Sequence, residues 1–200
     1  MWHETCPGGA VFAALVVIDQ GFADAARALG CPECGAALHT RNFQRKPRGG
    51  LMAAAGEKYC RRHGLCCSRE GCRRSTLPPS VRFLGRRIYL EGAVLLACLH
   101  ALIGGVVGNA PIVGVPVKTV RRWLSWWTSM VPLSPTWQWM RGRLMPPVDE
   151  TQLPRSFLER VAEGLGDEPD VDAVLTMAAR WLAPLTTRSM TVLPSFPRGI

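Results

Sequence analysis

The residues best placed for chemistry in this chain are sulfur ligands. Of eight cysteines, six fall between Cys31 and Cys72. The run Cys31-Pro32-Glu33-Cys34-Gly35 is a Cys-x-x-Cys followed by glycine. That spacing bends the backbone into a knuckle and turns both thiolates toward one tetrahedral ion. Cys66-Cys67-Ser68-Arg69-Glu70-Gly71-Cys72 supplies the second pair. Cys67 with Cys72 is the preferred choice, with Gly71 in the turn where a positive φ is expected. Cys66 with Cys72 competes, because on a strand Cys66 and Cys67 point to opposite faces and only one meets the ion. Cys60-Arg61-Arg62-His63 also has ligand spacing, and His39 lies within reach of the first knuckle, so the set stays open at this point.

The implied ion is zinc in a structural role. Four thiolates close the coordination sphere, whereas a hydrolytic zinc keeps one position for water beside a general base. No His-Glu-x-x-His, nucleophile elbow or phosphate loop occurs. No enzyme is expected.

Charge points to the partner. The net +9 divides into +8 over residues 1–90, +4 over 91–147 and −3 over 148–200. A basic front and middle with an acidic rear suit a polyanion. The loop Arg41 to Gly50 carries Arg45, Lys46 and Arg48 around Phe43, and Arg73 with Arg74 follows the second knuckle. These cations are expected to contact phosphates.

The elements that hold these residues read as follows. Residues 10–29 suggest one or two short helices, with Val11, Leu15 and Ile18 before Gly21 and Phe22, Ala25, Ala26 and Leu29 after it. Gly30 caps them. Ala36 to Thr40 is a return strand, Met52 to Lys58 a connector, and Tyr59 to Cys67 the strand entering the second knuckle. Pro78-Pro79 forces an extended crossing. The uncharged stretch between Glu91 and Lys118 is cut by glycines and prolines, and Ala93 to Val107 falls short of the ~20 residues that span a bilayer. A buried helix over 89–103 is expected there, and no membrane partner. From Pro116 a helix places Val117, Val120, Trp123, Leu124 and Trp127 on one face and Lys118, Arg121, Arg122, Ser125 and Ser129 on the other. That division suits the recognition helix of a helix-turn-helix, with Gly114 in the turn. Trp137 and Trp139 beside Arg141 and Arg143 read as a linker tied to the core, and residues 148–200 as an acidic helical tail.

The order of these parts resembles the N-terminal DNA-binding region of bacterial insertion-sequence transposases. It is similar, too, to a group of short uncharacterised bacterial proteins with the same layout. The resemblance rests on the Cys-Pro-x-Cys-Gly knuckle, on Gly71-Cys72-Arg73-Arg74, on the Ser75 to Leu84 crossing and on the helix-turn-helix pattern. It covers residues 31–130. The second knuckle departs from it, spacing its cysteines by four residues rather than two. It implies DNA binding in a mobile-element or regulatory role, without strand transfer.

The expectation is therefore an α+β protein: a helical segment over 1–30, a zinc-ribbon module over 31–87, a helix-turn-helix region over 88–147 and a helical tail over 148–200. Its metal ligands are Cys31, Cys34, Cys67 and Cys72. Lys118, Arg121, Arg122 and Ser125 face double-stranded DNA. Two rivals stand beside this: an RNA or single-strand binder stacking bases on Phe43, Trp137 and Trp139, and an interaction module docking a protein through the tail. Ala10 to Ile18 is apolar like an export signal, but Glu4 precedes it and the first cation is Arg27, so a reducing cytoplasmic location, on the nucleoid if DNA is bound, is expected.

Overall fold

The computed structural model describes residues 9–45, 56–83 and 116–187. The expected cations Lys46 and Arg48, the helix over 89–103, the turn at Gly114 and the boundary at 87/88 lie outside the described residues.

The chain is α+β. Of the one or two short helices expected here, the chain forms one long one, α1 (Gly9–Leu29), which runs through Gly21 without a break. Gly21 sits on the exposed side, where an added Cβ would meet nothing within 4 Å, while Leu15 and Phe22 on either side of it anchor the buried face. Docking of that face outweighs the ~1 kcal/mol that glycine costs a helix. Gly30 ends the helix at φ +78, and a Cβ there would stand 2.9 Å from the Gly35 carbonyl oxygen. Only glycine fits this junction.

Two small antiparallel sheets follow. In the first, β1 (Leu38–Thr40), β4 (Leu65–Cys67) and β5 (Ser75–Thr76) lie in the order β1-β4-β5. Leu38 is opposite Cys67, and Cys66 lies between His39 and Ser75. In the second, β2 (Phe43–Gln44) pairs with β3 (Arg61–Arg62). The expected connector ends in a single helical turn, α2 (Gly56–Tyr59). The strand expected over 59–67 is split at His63-Gly64. There a Cβ on Gly64 would come within 2.7 Å of the Arg41 carbonyl oxygen, so the backbones approach as closely as glycine permits.

Residues 78–83 then run through the centre of the molecule without helix, as the paired prolines require. Asp19, at the heptad-like position between Leu15 and Phe22, is fully buried, and so is Arg82. Arg82 Nε donates to Asp19 Oδ2 at 2.8 Å, the Val81 N–H donates to Oδ1 at 2.7 Å, and the Ser80 hydroxyl donates to Oδ2. The Arg82 guanidinium also donates to the carbonyls of Tyr59 and Arg61. Arg62, buried alongside, donates from Nη2 to the Pro78 carbonyl. Burial draws its pKa down to about 10, against the attraction of Asp19. Burial and the neighbouring Arg82 likewise lower the pKa of His63.

Four helices complete the core: α3 (Val117–Ser129), α4 (Pro135–Arg141), α5 (Arg155–Glu163) and α6 (Val171–Leu182). The segment expected as a linker is the helix α4, capped by the Ser134 hydroxyl, which accepts from the Trp137 N–H. One buried cluster unites Leu15 and Phe22 of α1 with Val81, Phe83, Trp127, Trp137, Phe157 and Leu175. The tail is part of this core: α6 packs on α1 and α5, and the Thr186 hydroxyl accepts from the Ser80 N–H at 2.8 Å. Among the described residues no helix is long and apolar enough to cross a membrane.

Two stability predictions follow from these placements. Asp19→Asn or Arg82→Met, each stranding a buried partner, should cost about 3–5 kcal/mol in urea unfolding, while the double replacement by apolar residues should cost less than the sum. Gly21→Ala should raise stability by about 0.5–1 kcal/mol in the same assay.

Candidate metal centre

The first knuckle forms because the chain leaving Gly30 turns back on itself. The Cys31 N–H donates to the Ala36 carbonyl and the Gly35 N–H to the Cys31 carbonyl, both at 2.8 Å, with Gly35 at φ +70. The second forms at the end of β4. The Cys72 and Arg73 N–H groups donate to the Arg69 carbonyl, and the Cys67 N–H donates to the Arg74 carbonyl at 2.9 Å. The positive φ expected at Gly71 falls instead on Arg73, at +44. The Arg69 carbonyl draws in the next turn, and the chain reverses only as it enters β5.

The two knuckles bring Cys31, Cys34, Cys67 and Cys72 together, with their Sγ atoms all within 4.8 Å of one another. Cys34 and Cys67 sulfurs are 3.5 Å apart, and those of Cys31 and Cys72 3.8 Å. A tetrahedron with metal–sulfur bonds of about 2.3 Å has edges of about 3.8 Å. The four thiols therefore have the spacing that one such ion requires. Cys31 and Cys67 are buried, Cys34 and Cys72 half-buried.

Strand alternation decides between the neighbouring cysteines. Cys67 points into the cluster, while the Cys66 sulfur lies on the other face, nearest the carbonyls of Cys67 and Arg73. Cys60 and His63 are buried outside the group, and His39 is exposed on β1 opposite Cys66. Two opposing effects act on the thiols. The Glu33 backbone N–H holds Cys31 down at about 7, and burial pushes Cys67 up to about 12. A divalent cation overrides the second effect, since coordination deprotonates a thiol.

The expected polyanion contacts are placed unequally. On α3, Lys118, Arg121, Arg122 and Ser125 are exposed, opposite the buried Val120, Trp123 and Trp127. Arg73 is exposed, and Arg74, also exposed, lies 3.6 Å from Glu33. Arg45 is half-buried with its guanidinium 4.4 Å over the Phe43 ring. Of the aromatic platforms of the single-strand reading, Phe43 has one face under Arg45, Trp139 has Arg143 3.5 Å over its ring, and Trp137 is fully buried, its Nε1 donating to Glu150. Sequence reasoning took Arg41 and Asn42 only as the start of the basic loop and gave Ser75 and Thr76 no site role, yet the four converge on one cleft. Their separation along the chain leaves no local signal.

Comparison with family models, with curated proteins and with solved structures finds no match to this chain.

Cobalt(II) titrated into the reduced protein should give thiolate charge-transfer absorption at one equivalent. Cys66→Ser should keep that spectrum and Cys67→Ser should lose it.

Proposed function

We propose that the protein is a zinc-stabilised DNA-binding protein in which the metal is structural and the chain carries no catalytic role. The observation that carries the zinc half is the closed set of four sulfurs at tetrahedral spacing. Zinc suits an all-thiolate site of this kind. The cluster beneath it is small, comprising Ala26, Leu38 and Leu65 besides Cys31 and Cys67, so the metal would supply much of the module's stability.

The DNA half is supported by α3. Its tryptophans are fixed in the core, and its cations Lys118, Arg121 and Arg122 face outward, with no ion pair among the described residues. Side chains held this way present guanidinium groups to the major groove, where arginine pairs with guanine. Arg73 and Arg74 would add phosphate contacts that set orientation without reading sequence. The covered face of Trp139 and the burial of Trp137 favour duplex over single strand. In this reading the protein works in the reducing cytoplasm, in a regulatory or mobile-element setting.

Arg122→Ala should change base preference by about 1–3 kcal/mol at one position, whereas Arg73→Ala should weaken all sequences alike and lower the salt slope by about 1. Both are measured by duplex titration at low salt, and unchanged binding in both variants rejects DNA. Chelation should unfold residues 31–45 and 56–77; retention of their amide protection after metal removal rejects structural zinc.

A further inference from the structure

A cleft of about 360 Å3 lies at the end of the three-stranded sheet, between the turn joining β1 to β2 and strand β5. Its polar lining is almost wholly donor. The Arg41 side chain is exposed and donates from Nη1 to the Ser75 hydroxyl at 3.0 Å. Its other nitrogens have no hydrogen bond or ion pair among the described residues. Asn42 Oδ1 accepts from the Gly64 N–H at 3.3 Å, which fixes the amide so that its NH2 remains free to donate. The Thr76 hydroxyl is buried without a hydrogen-bond partner. Among the described residues no carboxylate lines the cleft, and its remaining walls are apolar, formed by Phe43, Leu65 and Leu77.

A guanidinium, an amide NH2 and the Ser75 hydroxyl around one space match the oxygens of a phosphate. The apolar wall beside them would stay wet under an inorganic anion alone, and a flat heterocycle covers it. The volume falls at the lower end of the range of small-ligand sites, about 300–1,000 Å3. Gly64 keeps the cleft open: any side chain there strikes the Arg41 carbonyl and, at 3.2 Å, the Phe43 ring.

We propose that this cleft binds a nucleotide unit, its phosphate on Arg41 and Asn42 and its base against Phe43, Leu65 and Leu77. The site stands apart from the duplex reading, which assigns no role to Arg41 or Asn42. A free mononucleotide and an unpaired 5′-nucleotide of a strand present the same phosphate and ring, and the experiment separates them.

The zinc-loaded, reduced full chain is titrated calorimetrically with deoxyadenosine 5′-monophosphate, deoxyadenosine, inorganic phosphate and a 5′-phosphorylated hexanucleotide. The monophosphate should bind, and more tightly than phosphate or nucleoside by roughly tenfold, the scale of a charge-assisted contact. Arg41→Ala should reduce that binding at least as much, Asn42→Ala less, and Arg122→Ala should leave it unchanged. Circular dichroism and metal content confirm that Arg41→Ala is folded. Tighter binding of the hexanucleotide assigns the site to a strand end, and equal binding to the free nucleotide; both support the proposal. It is overturned by no binding at millimolar monophosphate, by equal affinity for phosphate and nucleotide, or by full binding in folded Arg41→Ala. Loss of duplex binding with monophosphate binding intact would reject the DNA reading alone.

Discussion

Asp19 and Arg82 leave water together, and the centre of the molecule is arranged around the cost of doing so. A lone carboxylate at that depth would be desolvated with nothing in return, and a lone guanidinium likewise. The structure offsets both by giving Asp19 three donors and by giving Arg82 the carbonyls of Tyr59 and Arg61 as well. Those partners come from the N-terminal helix, the turn before β3 and the 78–83 segment. One hydrogen-bonded group therefore ties together three elements that also meet in one apolar cluster. An apolar pair of equal volume could fill the space, yet it would not dictate which carbonyls the segment must pass.

The two parts of the fold are held by different means. The helices bury a broad set of tryptophan, phenylalanine and leucine side chains. The strands are two or three residues long, and the cluster beneath them is small. A module of that size rarely folds on apolar burial alone. Helix α1 touches both, contributing Leu15 and Phe22 to the large core and Ala26 to the small one. The cysteine knuckles are thus built on a helix whose position is already set.

Legibility followed the range of the interaction. The knuckles could be read because their ligands are local within each pair, and the two faces of α3 because helical spacing alone separates Trp123 from Arg122. The choice of Cys67 over Cys66 needed the register of β4, which pairing with β1 supplies. Asp19 was hidden in a stretch read by its apolar residues, although Val11, Leu15, Asp19, Phe22 and Ala26 share one face. Its partner lies more than sixty residues away, and no local pattern joins them. Gly21 misled because propensity weighs the residue by itself, while a helix docked along its length tolerates it. Gly71 misled in the other direction: the turn takes its positive φ at Arg73, because the hydrogen bonds to the Arg69 carbonyl come first.

Ser80 has a consequence for the order in which the molecule can be made. Its hydroxyl reaches back to Asp19, and its backbone N–H reaches forward to Thr186. Loops of this length are slow to close, and a chain emerging from the ribosome cannot close them in advance. Helix α1 is made first but must wait for residue 82 before its carboxylate finds a partner, and for α6 before its apolar face is covered. Until residues 80–82 arrive, Asp19 remains a hydrated charge on that face, and only their arrival lets it be buried.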